Sequence, residues 1–475
     1  MSETTAQEVD ENIPGPESEL KRSITGRLLY FYVLGDVLGS GIYVLIGLVA
    51  GAVGGAFWVA FGVGVSLATI TGLAYAELVT KYPQAAGAAL YVNKAFGNRT
   101  LTFLVTVTFL SASFAAAGSL ATGFAAYFSE LWSLPPALLV SLVFILILAV
   151  VNYIGITESV IINMVMTFVE IAGLIIVMAI GVVYVAQGKA DFSTLGSFSA
   201  DGNPIFAIVA GVALAFFAMT GFENAANVAE ETINPSRNFP RALVGGMITA
   251  GVIYVLVAMT AALTVPVKKL AGSDAALLEV VKAGILPIPV SIMATLFAVI
   301  AMIAITNTTL VAVVTQSRIL YGMAREDVVP GVFGKIHASR RSPWVALIFA
   351  AIVVVGLLVV GAALNKGGVG VDVVARLALV TVVLTLVIYV LVIVSALKLG
   401  DQDEHEESFR APRPLLWTGI VGNFMLLVYV VIDDPFALVW CAGLLAIGGA
   451  LYAAEYFFGS PERSHGREGT EIKER

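Results

Sequence analysis

Residues 35–51 read GDVLGSGIYVLIGLVAG, and the reading of this stretch decides the fold. It is apolar enough to lie within a membrane, yet Gly39, Ser40 and Gly41 interrupt its middle. Glycine unwinds without a Cβ penalty. Unwinding frees backbone N–H groups, which at membrane depth face a cavity or protein rather than lipid. The half-helix that restarts after the break would offer its N-terminus to an anion such as a carboxylate. The same small residues also let membrane helices approach closely, so the stretch alone leaves both readings open.

The surrounding chain has one character. Of 475 residues, 59% are hydrophobic and 12% charged, against about 25% charged in soluble proteins. Mean hydropathy is +0.94. No soluble core hides that much apolar surface. A membrane helix needs about 20 mostly apolar residues. Twelve segments qualify, at 30–52, 57–79, 101–129, 137–155, 160–186, 204–228, 243–265, 286–316, 343–362, 371–397, 415–432 and 436–458. The expected fold class is an all-α polytopic membrane protein with twelve transmembrane helices and the lipid bilayer as its main partner. Residues 1–23 read as a disordered cytoplasmic tail and 460–475 as a second, charged cytoplasmic tail. The first is acidic and polar, unlike a signal peptide.

The net charge of -7 sits in ends and loops and argues against nucleic acid as a partner. A lone Cys441 excludes an intramolecular disulfide. His337, His405 and His465 are scattered, so neither a metal site nor a cofactor is expected. An enzyme would need a catalytic constellation, and the sequence has no Ser/His pair, no HExxH and no phosphate-binding loop.

With the N-terminus inside, twenty Lys and Arg fall on the inner side and five on the outer, with Arg376 within a span. Twelve spans return the C-terminus to the cytoplasm. The protein then belongs in the cell membrane with both termini cytoplasmic.

Segment 6 pairs with segment 1. Residues 215–243 read AFFAMTGFENAANVAEETINPSRNFPRAL. Ala218, Met219, Thr220 and Gly221 can unwind and expose carbonyls to an ammonium group. Phe216 or Phe217 could close over a ligand. The two interruptions lie five spans apart, so their halves have opposite orientations, as in an inverted repeat whose broken helices mark the binding site. A 6+6 transporter would instead place a long central loop after segment 6. Glu223 is costly to bury and is a functional candidate by default; a structural hydrogen-bonded acid is the alternative. Thr306 and Thr309 of segment 8 share one helix face and could complete an ion site or serve as packing glue.

Five smaller features complete the reading. Glu77 reads as an inner-gate or loop-anchoring acid. Arg325, Glu326 and Asp327 look like a loop network. Asp372 and Arg376 have i, i+4 spacing and read as a surface ion pair. Residues 275–284 read as a short outer interfacial or gating helix. The acidic run at 401–408 reads as a plain cytoplasmic loop.

The stretches GSGIYV at 39–44, YAELVTKYPQAAGAALYV at 75–92, 216–243, and SRILYGMAREDVVP at 317–330 resemble the amino acid–polyamine–organocation permeases. The likeness covers residues 24–345. The last two spans match by hydropathy and the FRAPRP turn at 409–414. The resemblance implies a LeuT-type 5+5 inverted repeat, with halves at 24–190 and 200–400, plus two C-terminal helices at 412–459. It implies a cationic or neutral amino acid as the small-molecule substrate, and a monomer or homodimer. It places the substrate carboxylate on the amides of Ser40, Gly41 and Ile42 and the Ser40 hydroxyl. It places the amine on the carbonyls of Val37, Phe217 and Thr220, beside Ala218 and Gly221, with Phe217 as the aromatic gate. Glu223 aligns with an acid implicated in gating or proton sensing.

Some proton-coupled relatives carry a lysine in segment 5 where this chain has Glu170. If Asp36 and Glu170 approach, they could share one proton and titrate as a unit. They could instead ligate sodium, or be two separate structural acids. The expected function is secondary amino acid transport by alternating access, coupled to H+, with Na+ coupling, amino acid or polyamine exchange, or a non-transporting nutrient receptor as alternatives.

Overall fold

A computed structural model describes residues 24–83, 87–154, 160–199, 203–229, 231–325, 328–337, 342–366, 372–400 and 408–458. The expected tails, most of the acidic loop at 401–408, and Glu326 and Asp327 lie outside these residues. The described residues are helices and loops, with one isolated bridge between Ile24 and Thr232.

Among the described residues, ten helices are long and apolar enough to cross a membrane, and they are segments 2 to 5 and 7 to 12. Segment 1 is a bent pair, Gly26–Leu38 and Gly41–Val53, with a 40° change of direction. It starts earlier than its hydropathy suggests because Thr25 caps it, accepting from the Leu28 amide at 3.3 Å. Segment 6 is Pro204–Phe217, too short to cross by itself. It continues past the break as a 3-10 helix, Phe222–Val228.

Segments five apart pack on each other: 2 on 7, 3 on 8, 4 on 9, and the second half of 1 on the first half of 6. The packing of 1 on 7 is matched by 6 on 2, and that of 5 on 8 by 10 on 3. Exchanging each segment with its partner five along therefore preserves the contacts, as an inverted repeat requires. The fold is the all-helical LeuT-type one. Segment 1 is buried from Val33 to Gly47, whereas Ile147, Ile352 and Val439 on outer helices are more than half exposed. Such side chains suit a lipid-facing surface.

Segments 11 and 12 are not a loose appendage. Segment 11 packs on 2, 6 and 10, and segment 12 on 3 and 10. Glu77 at the end of segment 2 anchors the 409–414 turn. Its carboxylate accepts from Arg413 at 3.0 and 3.1 Å and from the Ala411 amide at 3.0 Å. Lys81, also fully buried, pairs with Glu77 at 3.2 Å and donates to the Leu399 and Gly400 carbonyls.

On the opposite face, Val267–Ala271 and Ala276–Lys282 form two short helices over the second half of segment 1. Glu279 pairs with Lys269 at 2.7 Å, and Lys282 joins Glu279 to Glu130 of segment 3. Arg376 pairs with Asp434 between segments 11 and 12, while Asp372 caps segment 10 through the Ala375 amide. The cap occupies one Asp372 oxygen, and Asp434 lies within reach of the guanidinium. The i, i+4 pair expected from spacing is thus replaced by one between residues 58 apart in the sequence.

Candidate functional site

The two helix breaks meet at the centre of the bundle. A Cβ on Gly41 would sit 2.4 Å from the Ala218 Cα. Gly221 holds φ at +118°, a conformation L side chains rarely adopt, and a Cβ there would sit 2.8 Å from the Asp36 carbonyl oxygen. Glycine is thus required on both sides of the junction.

A cavity of about 80 Å³ opens beside this junction. Seven of the eight substrate-site residues expected from sequence line it: Val37, Ser40 and Gly41 from segment 1, and Phe217, Ala218, Thr220 and Gly221 from segment 6. Ile42 is buried behind them. Asp36, Glu223, Asn224 and Thr308 also line it, and segments 3, 8 and 10 complete the wall.

The polar groups divide by side. The second half of segment 1 begins at Gly41 without a side-chain cap from Ser40, so its first-turn amides have no intrahelical acceptor. The Ser40 amide donates to the Thr308 hydroxyl at 3.2 Å. Across the junction, the Tyr254 hydroxyl bridges the carbonyls of Val37 and Ala218. The Phe217 carbonyl accepts from the Thr220 amide at 3.2 Å and its hydroxyl at 2.7 Å. The Val37 and Ala218 carbonyls each keep a second lone pair, whereas both lone pairs of the Phe217 carbonyl are taken by Thr220.

Three buried acids surround the junction. Asp36 accepts from the Asn224 amide at 3.1 Å. Glu223 accepts from the Gly221 amide at 2.9 Å and the Tyr389 hydroxyl at 2.8 Å. Glu170 lies outside the cavity lining, fully buried. One of its oxygens accepts from Asn307 at 3.0 Å, and the other has no hydrogen-bond partner among the described residues. Asp36 and Glu170 take their hydrogen bonds from different partners, Asn224 and Asn307. The hydroxyls of Thr306 and Thr309 donate to the carbonyls of Met302 and Ile305 in their own helix, and neither lines the cavity.

Below the break, towards the N-terminal face, Tyr75 packs edge-on against Tyr91, Phe222 and Tyr389. These rings are at most 1% exposed, and Tyr389 joins them to the cavity through its hydrogen bond to Glu223. The sequence reading did not single out Tyr75, Tyr254, Tyr389, Asn224, Asn307 or Thr308. Thr308 stood inside the TNTT run at 306–309, but only the rotation of segment 8 selects it over its neighbours. The tyrosines sit in apolar runs and carry no local signal.

A family model described as amino acid permease matches residues 27–462. The chain belongs to the amino acid permease family. Among curated relatives, this permease is 25% identical over 361 residues to the branched-chain amino acid permease BcaP of Bacillus subtilis, covering 70% of this chain and 73% of that one. It is 26% identical to the methylthioribose transporter of the same organism, covering 70% and 74%. Against the chloroplastic cationic amino acid transporter 9 of Arabidopsis thaliana it is 27% identical, over 69% of this chain and 61% of that one. A crystal structure of the manganese transporter of Eremococcus coleocola shares the fold at a TM-score of 0.63 and 13% identity, over 92% of this chain and 98% of that one. The permease is a multi-pass membrane transporter of the amino acid–polyamine–organocation superfamily, not an enzyme.

Proposed function

We propose that this permease carries amino acids across the cytoplasmic membrane by alternating access, coupled to protons. The carrying observation is the junction itself, where uncapped amides of segment 1 and carbonyls of segment 6 line one cavity. An amino acid zwitterion presents the matching pair of charges. Its carboxylate sits on the Gly41–Ile42 amides and its ammonium on the carbonyls of Val37 and Thr220, since the Phe217 carbonyl expected from the resemblance already accepts twice from Thr220. Phe217 covers it.

Support for proton coupling comes from Glu170. An ionised carboxylate with one unpaired oxygen is costly in a dry interior. A bound proton removes that cost.

The test is uptake by the purified protein in liposomes, screened against amino acids at two pH values, with and without sodium. Accumulation should follow an imposed proton gradient and need no sodium. Asp36→Asn and Glu170→Gln should exchange substrate but lose gradient-driven accumulation. Full pH-dependent accumulation in both variants would sink proton coupling through these acids.

A further inference from the structure

The cavity has two chemically different halves. The half at the helix breaks holds both of its acids, Asp36 and Glu223, each engaged by hydrogen bonds within the site. The half built by segments 3, 8 and 10 carries no Asp, Glu, Lys, Arg or His among the described residues. It offers apolar surface from Phe109, Ala112, Ala116, Leu120 and Ala312, and, besides Thr308, which accepts from the Ser40 amide, four further hydroxyls.

Three of these hydroxyls share a property. A hydroxyl has one proton to give and two lone pairs to accept with. Ser113 donates to the Ala312 carbonyl at 3.3 Å and accepts from the Gln316 side-chain amide at 3.2 Å, which leaves it one lone pair. Thr381 donates to the carbonyls of Leu377 at 2.9 Å and Ala112 at 3.3 Å. Thr385 donates to the carbonyls of Thr381 at 2.9 Å and Val382 at 3.1 Å. Their protons are committed to backbone, so they present lone pairs to the cavity. Thr315 adds a further hydroxyl to the same wall.

We infer that this half is the side-chain subsite and that it selects a small, uncharged amino acid whose side chain donates a hydrogen bond, of the serine and threonine class. The inference rests on the proposed function, which places the substrate's backbone charges at the helix breaks. A lysine or arginine side chain would enter a wall with no countercharge, and a buried unpaired charge is expensive. A side chain that donates a hydrogen bond meets acceptors already oriented. The cavity volume points to small substrates too, since about 80 Å³ is well below the roughly 300–1,000 Å³ of pockets for drug-sized ligands.

Counterflow in liposomes tests this, using the full chain preloaded with serine and labelled serine outside. Unlabelled serine and threonine should compete best. Alanine, which lacks the donor, should compete about tenfold more weakly. Lysine, arginine and phenylalanine should not compete. In Thr385→Val and Thr315→Val the serine-over-alanine preference should shrink several-fold. That ratio is internal to one preparation, so loss of folded protein cancels from it. Lysine, arginine or leucine competing as well as serine overturns the subsite while leaving amino acid transport standing. If label enters with none of the amino acids preloaded in turn, the proposed function and the subsite both fall. A serine-over-alanine ratio unchanged in both variants refutes the role of the hydroxyls.

Discussion

Gly41→Ala adds one methyl group at the point where the two helix breaks touch. The new Cβ would lie 2.4 Å from the Ala218 Cα and 2.7 Å from its Cβ. Carbon atoms rest at about 3.5–4.0 Å, so segments 1 and 6 must part by about 1 Å. Both contacted atoms belong to the backbone or the first side-chain carbon, so no rotamer change relieves the clash. Overpacking of this kind costs about 1–3 kcal/mol, or roughly a 5- to 150-fold shift in the population of the competent junction. The separation also moves the segment 1 amides away from the segment 6 carbonyls, and an amino acid spans both. Uptake at low substrate should therefore fall at least about fivefold, with KM raised. Gly443→Ala on segment 12 is the control, because a Cβ there meets nothing within 4 Å. The measurement is initial uptake in liposomes alongside thermal unfolding in detergent. Gly41→Ala protein with the KM and rate of the parent would refute the claim that this contact shapes the site.

Other perturbations have equally definite outcomes. Tyr254→Phe removes the hydroxyl shared by the Val37 and Ala218 carbonyls and should weaken substrate binding by about 1–3 kcal/mol; an unaltered KM would count against that bridge. Glu77→Ala leaves Lys81 buried opposite Arg413 without their shared acid and should cost about 3–5 kcal/mol of stability, read by denaturant titration in detergent, where a loss too small to detect would contradict the anchoring role. Burial works against ionisation of Glu279, but hydrogen bonds from Lys269 and Lys282 outweigh it and hold the carboxyl below its ordinary value. Its contribution is therefore full above the unfolded value of about 4.3 and is lost as pH falls through the lower folded value. Hydrogen-exchange protection of 276–282 should fall in that acid window in the parent and be flat with pH in Glu279→Gln; a parallel fall in both would dismiss this acid as the cause.

Much of this protein is legible along the chain because the bilayer imposes a strong rule. Every spanning segment must satisfy its own backbone, so span length and apolar composition alone reveal the helices. The interruption in segment 1 was legible for the same reason, since Gly39, Ser40 and Gly41 stand out against apolar neighbours. So was the pairing with segment 6, because an odd offset of five spans inverts orientation. By hydropathy, segment 6 is one span of 25 residues, 204–228. The structure ends its α-helix at Phe217 and turns it through Gly221, whose amide is taken by the Glu223 side chain.

What the sequence determined by itself is the class of molecule, the position of both breaks and the residues standing at them. Those depend on local composition and on the period of the helix. The tertiary structure alone decided which groups face one another. It turned Thr308 rather than Thr306 or Thr309 to the cavity, brought Tyr254 and Tyr389 to the two breaks, and paired Arg376 with Asp434. It also left one oxygen of Glu170 unpaired. Helical periodicity says which residues share a face, but the direction of that face depends on the rotation of each helix against its neighbours. That rotation is set by close contacts such as Gly41 on Ala218, between residues far apart in the chain.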